Sequence, residues 1–476
     1  MRDKLDARTK WSYCIGATGR DAAYALVSMY LILYVQYTMN LTSAQFAVIS
    51  GAMILCMVWD AINDLLMGII IENTHFKMGK FKPWILAGSL TNAIVIVCLF
   101  TIRPSGWGFV AFYSLFYLLW GMTYTMNDIA YWGVLPSLSS DPGTRDSLVT
   151  IMSIFVCIGQ FSVAGVVPVV IAGNAVKAYR IVAVVVALCL IAFQMLTAFG
   201  IKENDREEQK DKLSLKDMYH IFMRNDQLVA AGIASIFFNI TCNILIIFGV
   251  NFFYIEYGYS ESGNLVFYFT VMYGLGMLIS QASHATLAKH FTRQKMLNVC
   301  FAALFIGYAC FMGFGYVLPK NVVLLNAIGF VIFFFQGLMN LVIIVMINNT
   351  IEYDEARFHE RHDSVISAVR SFSVKLAGGI NQGLSTLVLI VSGIYAKSRS
   401  ISALEIEVNR GEISSEAALA EANRYIGEIT TAQGILFRVG MVLIPLMALA
   451  ISYMIIRKKY HIDEAEYAKL VEKTRT

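Results

Sequence analysis

Residues 42–71 read TSAQFAVISGAMILCMVWDAINDLLMGIII, an apolar run that nevertheless carries Asp60, Asn63 and Asp64. A helix crosses the hydrocarbon core of a bilayer with about 20 apolar residues, so this run is long enough to span. An ionised side chain at that depth costs about 3 kcal/mol or more, and such residues mark an ion or substrate path. Positions i, i+3 and i+4 share one helix face, which brings the three oxygen-bearing side chains to one place. Two carboxylates and an amide oxygen make a hard, anionic site suited to Na⁺, Li⁺ or a proton.

The rest of the chain agrees with a membrane reading. Of 476 residues, 57% are hydrophobic and 15% charged, with a mean hydropathy of +0.62; soluble chains carry about 25% charged residues. The polar residues 1–12 lead straight into an apolar run, which reads as no cleavable signal peptide. Cysteines 14, 56, 98, 157, 189, 242, 300 and 310 all fall in or beside apolar segments without a C-x-x-C pair, and read as small buried hydrophobes. No P-loop, G-x-S-x-G elbow, zinc motif or nucleophile–base pair occurs, so an enzyme is not expected and no cofactor beyond a coupling cation is implied.

Twelve spans are predicted, near 14–37, 42–71, 84–102, 107–135, 148–173, 179–200, 227–255, 264–287, 296–318, 322–350, 365–395 and 434–456. With the N-terminus inside, the cytoplasmic segments hold 25 Lys and Arg, the outer loops seven and the spans five. That bias predicts a multi-pass protein of the cell (inner) membrane with both termini cytoplasmic. The polar segment 201–226 divides a six-helix bundle at 1–200 from another at 227–457, followed by a tail at 458–476; an amphipathic helix is expected near 214–223. Arg145-Asp146-Ser147-Leu148 and His362-Asp363-Ser364-Val365 stand at corresponding places in the two halves, a short echo of an internal repeat. Outer residues 396–432 read as a solvated loop of helical composition, with a surface helix capping the cavity exit as the alternative.

Helical rise sets the depth of the remaining charges. Asp21, Asp64, Asp128 and Lys375 each stand roughly 10–15 Å from the predicted cytoplasmic edge at ~1.5 Å per residue, near the middle of the core. One layer of ionisable groups from four spans predicts one shared site. Arg20 and Asp21 are neighbours whose side chains should leave the helix about 100° apart, so each is expected to meet a partner on another helix, or Asp21 a sugar hydroxyl. Asp128 and Trp132, four apart, offer a carboxylate for hydroxyl protons and an aromatic face for the C–H side of a sugar ring. Thr125 could turn its hydroxyl toward the cation group. Lys375 is a counter-ion that a cation would displace, and Arg370 suits either a carboxylate or sulfonate ligand or a structural aspartate. Asn239, Asn243, Asn251, Asn340, Asn348 and Asn349 either tie helices together or contact sugar, while Glu256, His284 and Arg438, near span ends, are expected to reach the interface.

The stretches WDAINDLLMG (59–68), GKFKPWIL (79–86), WGMTYTMNDIAYW (120–132), NDQL (225–228), IEYDE (351–355) and VKLAGG (374–379) carry a family likeness. In order and spacing the chain resembles the glycoside–pentoside–hexuronide:cation symporters, the melibiose-carrier branch of the major facilitator superfamily, from about residue 8 to 395. The resemblance implies an all-α membrane fold of twelve transmembrane helices in two six-helix halves. It implies a cation site, Na⁺ favoured, at Asp60, Asn63, Asp64 and Thr125, and a sugar site using Asp21, Asp128, Trp132 and Lys375, with Arg20 for the melibiose carriers' lysine. Three positions depart: Ser153 stands for an arginine, Asn340 for a tryptophan and Arg370 for a glutamine. The expectation is a monomeric symporter of a glycoside or oligosaccharide with Na⁺. The alternatives are a proton-coupled or exchange carrier of a hexuronide or sulfonated sugar, and a non-transporting membrane receptor or scaffold.

Overall fold

Short polar side chains start many of the helices. Asp6, Thr42, Asp141, Asn174, Thr292, Asn321 and Ser414 each accept a hydrogen bond from a backbone N–H in the first turn that follows, satisfying donors a helix end leaves open. At Thr42 the bond is reciprocated by Gln45, a complete capping box. The computed structural model describes residues 5–74, 76–139, 141–202, 215–358 and 363–475; the linker residues 203–214 and His362 of the sequence echo lie outside them.

The architecture is all-helical. The elements are α1 (Ala7–Ala25), α2 (Leu31–Thr38), α3 (Ser43–Glu72), α4 (Lys82–Thr101), α5 (Gly106–Leu138), α6 (Pro142–Val170), α7 (Ala175–Gly200), α8 (Leu215–Arg224), α9 (Asp226–Tyr257), α10 (Ser262–His290), α11 (Arg293–Gly313), α12 (Val322–Asn348), α13 (Thr350–Phe358), α14 (Asp363–Val391), α15 (Ile394–Arg410), α16 (Ser415–Gly427), α17 (Thr431–Lys459) and α18 (Glu464–Arg475). Among the described residues, eleven helices are long and apolar enough to cross a membrane. The first predicted span is not among them because it is built in pieces: α1 carries Arg20 and Asp21, and a π-helical turn at Leu26–Tyr30 joins it to α2. Pieced spans with buried charge are what a cavity-lining helix requires.

Two compact units are present. The first comprises Met1–Gln209, Val250–Phe267 and Leu389–Gln433; the second comprises Lys210–Gly249, Tyr268–Val388 and Gly434–Thr476. In the first, α1 packs on α6 and α7, and α4 and α3 on α5. Gly88 lets α4 approach α5 so closely that a Cβ there would sit 2.6 Å from the Asn127 nitrogen. Asn127 in turn donates to Ile85 O (2.9 Å) and Gln194 Oε1 (3.1 Å), and Gln194 to Gly16 O (2.8 Å). Four helices are thereby tied by polar side chains, each such bond contributing about 0.6 kcal/mol within a membrane.

In the second unit α11 packs on α12, and α18 of the C-terminal tail packs on α13. Tyr308 donates to Thr241 O (2.9 Å) and Gln336 donates to Tyr308 Oη (3.0 Å). Arg438 corrects its expectation: it is fully buried, donates to Phe314 O and stacks over Tyr316. The carbonyls at the end of α11 receive the guanidinium, so it has no need to reach water.

Residues 396–432 also differ from the solvated loop. They form α15 and α16, both with buried faces, and α15 packs on α2, α7 and α16 within the first unit.

Candidate functional site

Within the first unit, α3 and α5 bring the cation candidates together. Thr125 Oγ1 donates to Asp64 Oδ1 at 3.0 Å. One turn away on α5, a Cβ on Gly121 would stand 2.6 Å from Asp60 Oδ1, so the Asp60 carboxylate lies directly against bare backbone. Asn63 is buried, and its Nδ2 has no hydrogen-bond partner among the described residues. Two carboxylates, a hydroxyl and an amide oxygen are the donor types that suit a small hard cation. No three His, Cys, Asp or Glu side chains converge in a metal-holding group among the described residues.

Arg20 organises the neighbouring site. Its Nε and Nη2 donate to Asp21 Oδ2 at 3.0 and 2.8 Å, and its Nη1 stands 3.1 Å from Asp128 Oδ1. The guanidinium lies 4.5 Å over the Tyr131 ring and 5.7 Å from that of Trp132. Adjacent residues were expected to point apart; instead the long arginine stem folds back, so Arg20 meets its own neighbour as well as Asp128 on α5. Only a planar guanidinium on a flexible stem serves two carboxylates and two rings at once. Gln160 of α6 donates to the other Asp21 oxygen at 3.3 Å. Trp132 keeps 41% of its surface exposed, leaving a free aromatic face beside Asp128.

Sequence reasoning missed the aromatic wall next to these carboxylates. Tyr24 lies 5.2 Å from Tyr124 and 6.1 Å from Trp120, ring centre to ring centre. The signal was present: Tyr24 follows Asp21 by three residues, Tyr131 follows Asp128 by three and Tyr124 precedes it by four, all spacings that share a helix face. Gln160 had no such cue, because only the packing of α6 on α1 brings it to Asp21.

Other candidates fall elsewhere. Ser153 spends its hydroxyl on Val149 O at 2.8 Å. Asn251 accepts from Gln36 (2.7 Å) and Tyr37 (2.6 Å), a helix tie. Asn340 on α12 and Lys375 on α14 are half-buried and Arg370 on α14 is exposed; all three belong to the second unit.

A model for MFS/sugar transport proteins matches residues 12–463, nearly the whole chain. The chain belongs to the glycoside–pentoside–hexuronide:cation symporter family. Among curated relatives in this family, the lactose permease of Lactobacillus delbrueckii subsp. bulgaricus is 25% identical, matching 100% of this chain and 73% of its own length. The raffinose carrier protein of Pediococcus pentosaceus is 23% identical over 96% of this chain and 70% of its own. A putative glycoside/cation symporter of Escherichia coli is 21% identical over 85% and 86%. Among solved structures, a bacterial homologue of the human lysosomal transporter Spinster shares the fold with a TM-score of 0.65, 12% identity and 99% of both chains covered. A D-xylose–proton symporter does so at 0.61, 12% identity, and 90% and 98% coverage. The major facilitator fold expected from the resemblance is therefore the fold of this chain, and the family is one of permeases and symporters, not enzymes.

Proposed function

We propose that this symporter-family chain couples inward movement of Na⁺ to uptake of a neutral oligosaccharide, with the cation at Asp60, Asn63, Asp64 and Thr125. The observation that carries the reading is the Thr125–Asp64 contact, with the Asp60 carboxylate set one turn away against Gly121. Arg20, Asp21, Asp128 and Trp132 would hold the sugar: carboxylates accept hydroxyl protons, and the indole covers the ring's C–H face. The second unit carries its own polar candidates, Lys375, Arg370 and Asn340. The named relatives carry lactose and raffinose, both neutral oligosaccharides, which supports this cargo class.

Charge supports a neutral cargo too. Within the first unit, Asp21, Asp60, Asp64 and Asp128 bring four negative charges and Arg20 one positive, a formal −3 when all are ionised. A cation relieves that excess, whereas an anionic sugar adds to it, and Arg20 is already engaged by two aspartates. Li⁺ or a proton could serve the same donors. In this scheme the cation neutralises the Asp60–Asp64 pair and raises sugar affinity by a coupling of about 1–3 kcal/mol. Transport in this family runs by alternating access, here in an inner membrane with both termini cytoplasmic. The test is lactose or raffinose binding to purified protein with and without Na⁺. Affinity should rise with Na⁺ and lose that dependence in Asp64→Cys; equal affinity in wild type at both conditions sinks the coupling.

A further inference from the structure

The α15–α16 hairpin belongs by sequence to the link between the last two spans, yet it folds onto the outer ends of the first unit's helices. The contacts are specific. Asn40 N donates to Ser402 Oγ at 2.6 Å, and Arg399 Nε donates to Asn40 Oδ1 at 2.9 Å. Asn40 itself holds a left-handed backbone at φ 45°, the one non-glycine residue to do so among those described, and the two bonds to α15 hold it there. Gln36 donates to Ser398 (2.9 Å), and Tyr395 donates to Leu41 O (3.0 Å) while stacking on Phe46.

At the centre is Glu405, 2% exposed. Its Oε2 accepts from the backbone N–H of Ala175, the first residue of α7, at 2.7 Å, and its Oε1 from the Tyr259 hydroxyl at 2.8 Å. A carboxylate on a helix N-terminus is favoured by the helix dipole and by the open N–H groups there. No ion pair to it occurs among the described residues, so these two bonds carry the compensation for its burial. Asn423 of α16 adds a second clasp on the same turn, accepting from Tyr259 N (2.7 Å) and donating to Ser260 Oγ (2.9 Å).

We propose that the α15–α16 hairpin is a latch over the outer entrance of the transport path, with Glu405 as its bolt. The argument rests on connectivity. α15 leaves α14 through only Ser392 and Gly393, so a hairpin bonded to α2 and α7 tethers the end of α14 to the first span. A carrier that admits sugar from outside must part its sequence halves at that face. With so short a connection, the bonds to Asn40, Gln36, Leu41 and Ala175 have to release in every cycle. The inference rests on the family's transport function and not on which cation or sugar is carried.

The test uses Ala422→Cys, a conservative change at a buried position of α16 (2% exposed), in full-length protein in proteoliposomes. Labelling by a membrane-impermeant maleimide, corrected for the parent chain's own cysteines, reports undocking. Glu405→Ala should raise the labelling rate at least tenfold, and Ser402→Ala, which removes one acceptor only, severalfold; should Glu405→Ala fail to accumulate, Ser402→Ala carries the same comparison. A disulfide between Asn40→Cys and Ser402→Cys should stop lactose counterflow, and reduction should restore it. Equal labelling in the parent and both variants, or counterflow at an undiminished rate in the cross-linked protein, overturns the latch. Loss of counterflow before any cross-link instead bears on the proposed cargo, and the labelling comparison still decides the latch.

Discussion

Gly121→Ala sets two effects against each other. In a helix interior, alanine is favoured over glycine by about 1 kcal/mol, so α5 on its own should be more stable. The new Cβ, however, would stand 2.6 Å from Asp60 Oδ1, whereas ordinary contact begins at 3.4 Å. Asp60 must therefore withdraw by about 0.8 Å, the difference between those two distances. A hard cation sits ~2.4 Å from its oxygens. At an effective dielectric constant of ~20, the attraction falls from about 7 kcal/mol at ~2.4 Å to about 5 kcal/mol at ~3.2 Å. The loss is about 1.7 kcal/mol, which at 1.36 kcal/mol per decade is roughly 18-fold in affinity. The assay is a Na⁺ titration followed by Trp fluorescence, since Trp120 adjoins the substituted residue, alongside thermal unfolding without Na⁺. The expected result is a Na⁺ Kd raised 10- to 20-fold in a chain whose unfolding temperature without Na⁺ is not lowered. A Kd within twofold of wild type in a folded variant would refute the placement of the cation at Asp60.

Thr125→Val removes the hydroxyl on Asp64; hydrogen bonds to charged groups contribute about 1.5–3 kcal/mol, so Na⁺ affinity should fall ten- to a hundredfold in the same titration, with Thr125→Ser close to wild type. Arg20→Ala leaves Asp21 and Asp128 without their shared guanidinium, and breaking a buried pair from one side costs about 3–5 kcal/mol. Thermal unfolding in detergent should show that loss, and a second change, Asp21→Asn, should recover part of it. The Glu405 carboxyl, on the outer helix α15, is held above its ordinary value by burial, with Tyr179, Tyr254 and Tyr259 around it. A carboxyl raised in the docked state stabilises docking below its undocked value and loses that contribution as pH rises through the docked one. Labelling of Ala422→Cys should therefore climb with pH more steeply than the same chain with Glu405→Gln, which corrects for the thiol's own titration; parallel profiles would contradict it.

The fold was legible because bilayer length and spacing leave few options. A 30-residue helix at α3 with three polar side chains on one face follows from the sequence of 42–71 alone. Thr125 was found because it shares a helix with Asp128, three residues on. The docked outer hairpin was not legible. Its amphipathic pattern predicts a helix on some surface, but only the tertiary partners Asn40, Leu41 and Ala175 say which. Arg20 meets the partner on another helix that was expected, Asp128, but its fold back onto Asp21 was not legible: helix geometry fixes where a Cβ points, and a long side chain ends wherever its hydrogen bonds are best. Arg438 was misjudged likewise, because position near a span end says nothing of carbonyls waiting inside.

The same helix that receives the cation candidate also presents the sugar candidate. Thr125 and Asp128 lie three residues apart on α5, and Asp60 presses on Gly121 one turn further along. In the proposed scheme, a cation drawing Asp60, Asp64 and Thr125 inward pulls on the stretch of backbone that carries Asp128. Asp128 is also bound through Arg20 to Asp21 on α1. Cation binding then acts on the Arg20 clasp without touching it, and a sugar hydroxyl that replaces Arg20 on Asp128 acts back on the cation by the same amount. Coupling needs no long path here. It needs only that α5 is stiff over two turns, which a packed helix is, and that Arg20 can give up one carboxylate while keeping the other. Arg20→Lys, with one ammonium in place of a fork, should bind either partner singly and weaken the link: Na⁺ would then shift sugar affinity less than in wild type, measured as the ratio of sugar Kd values with and without Na⁺. An unchanged ratio would place the coupling outside α5.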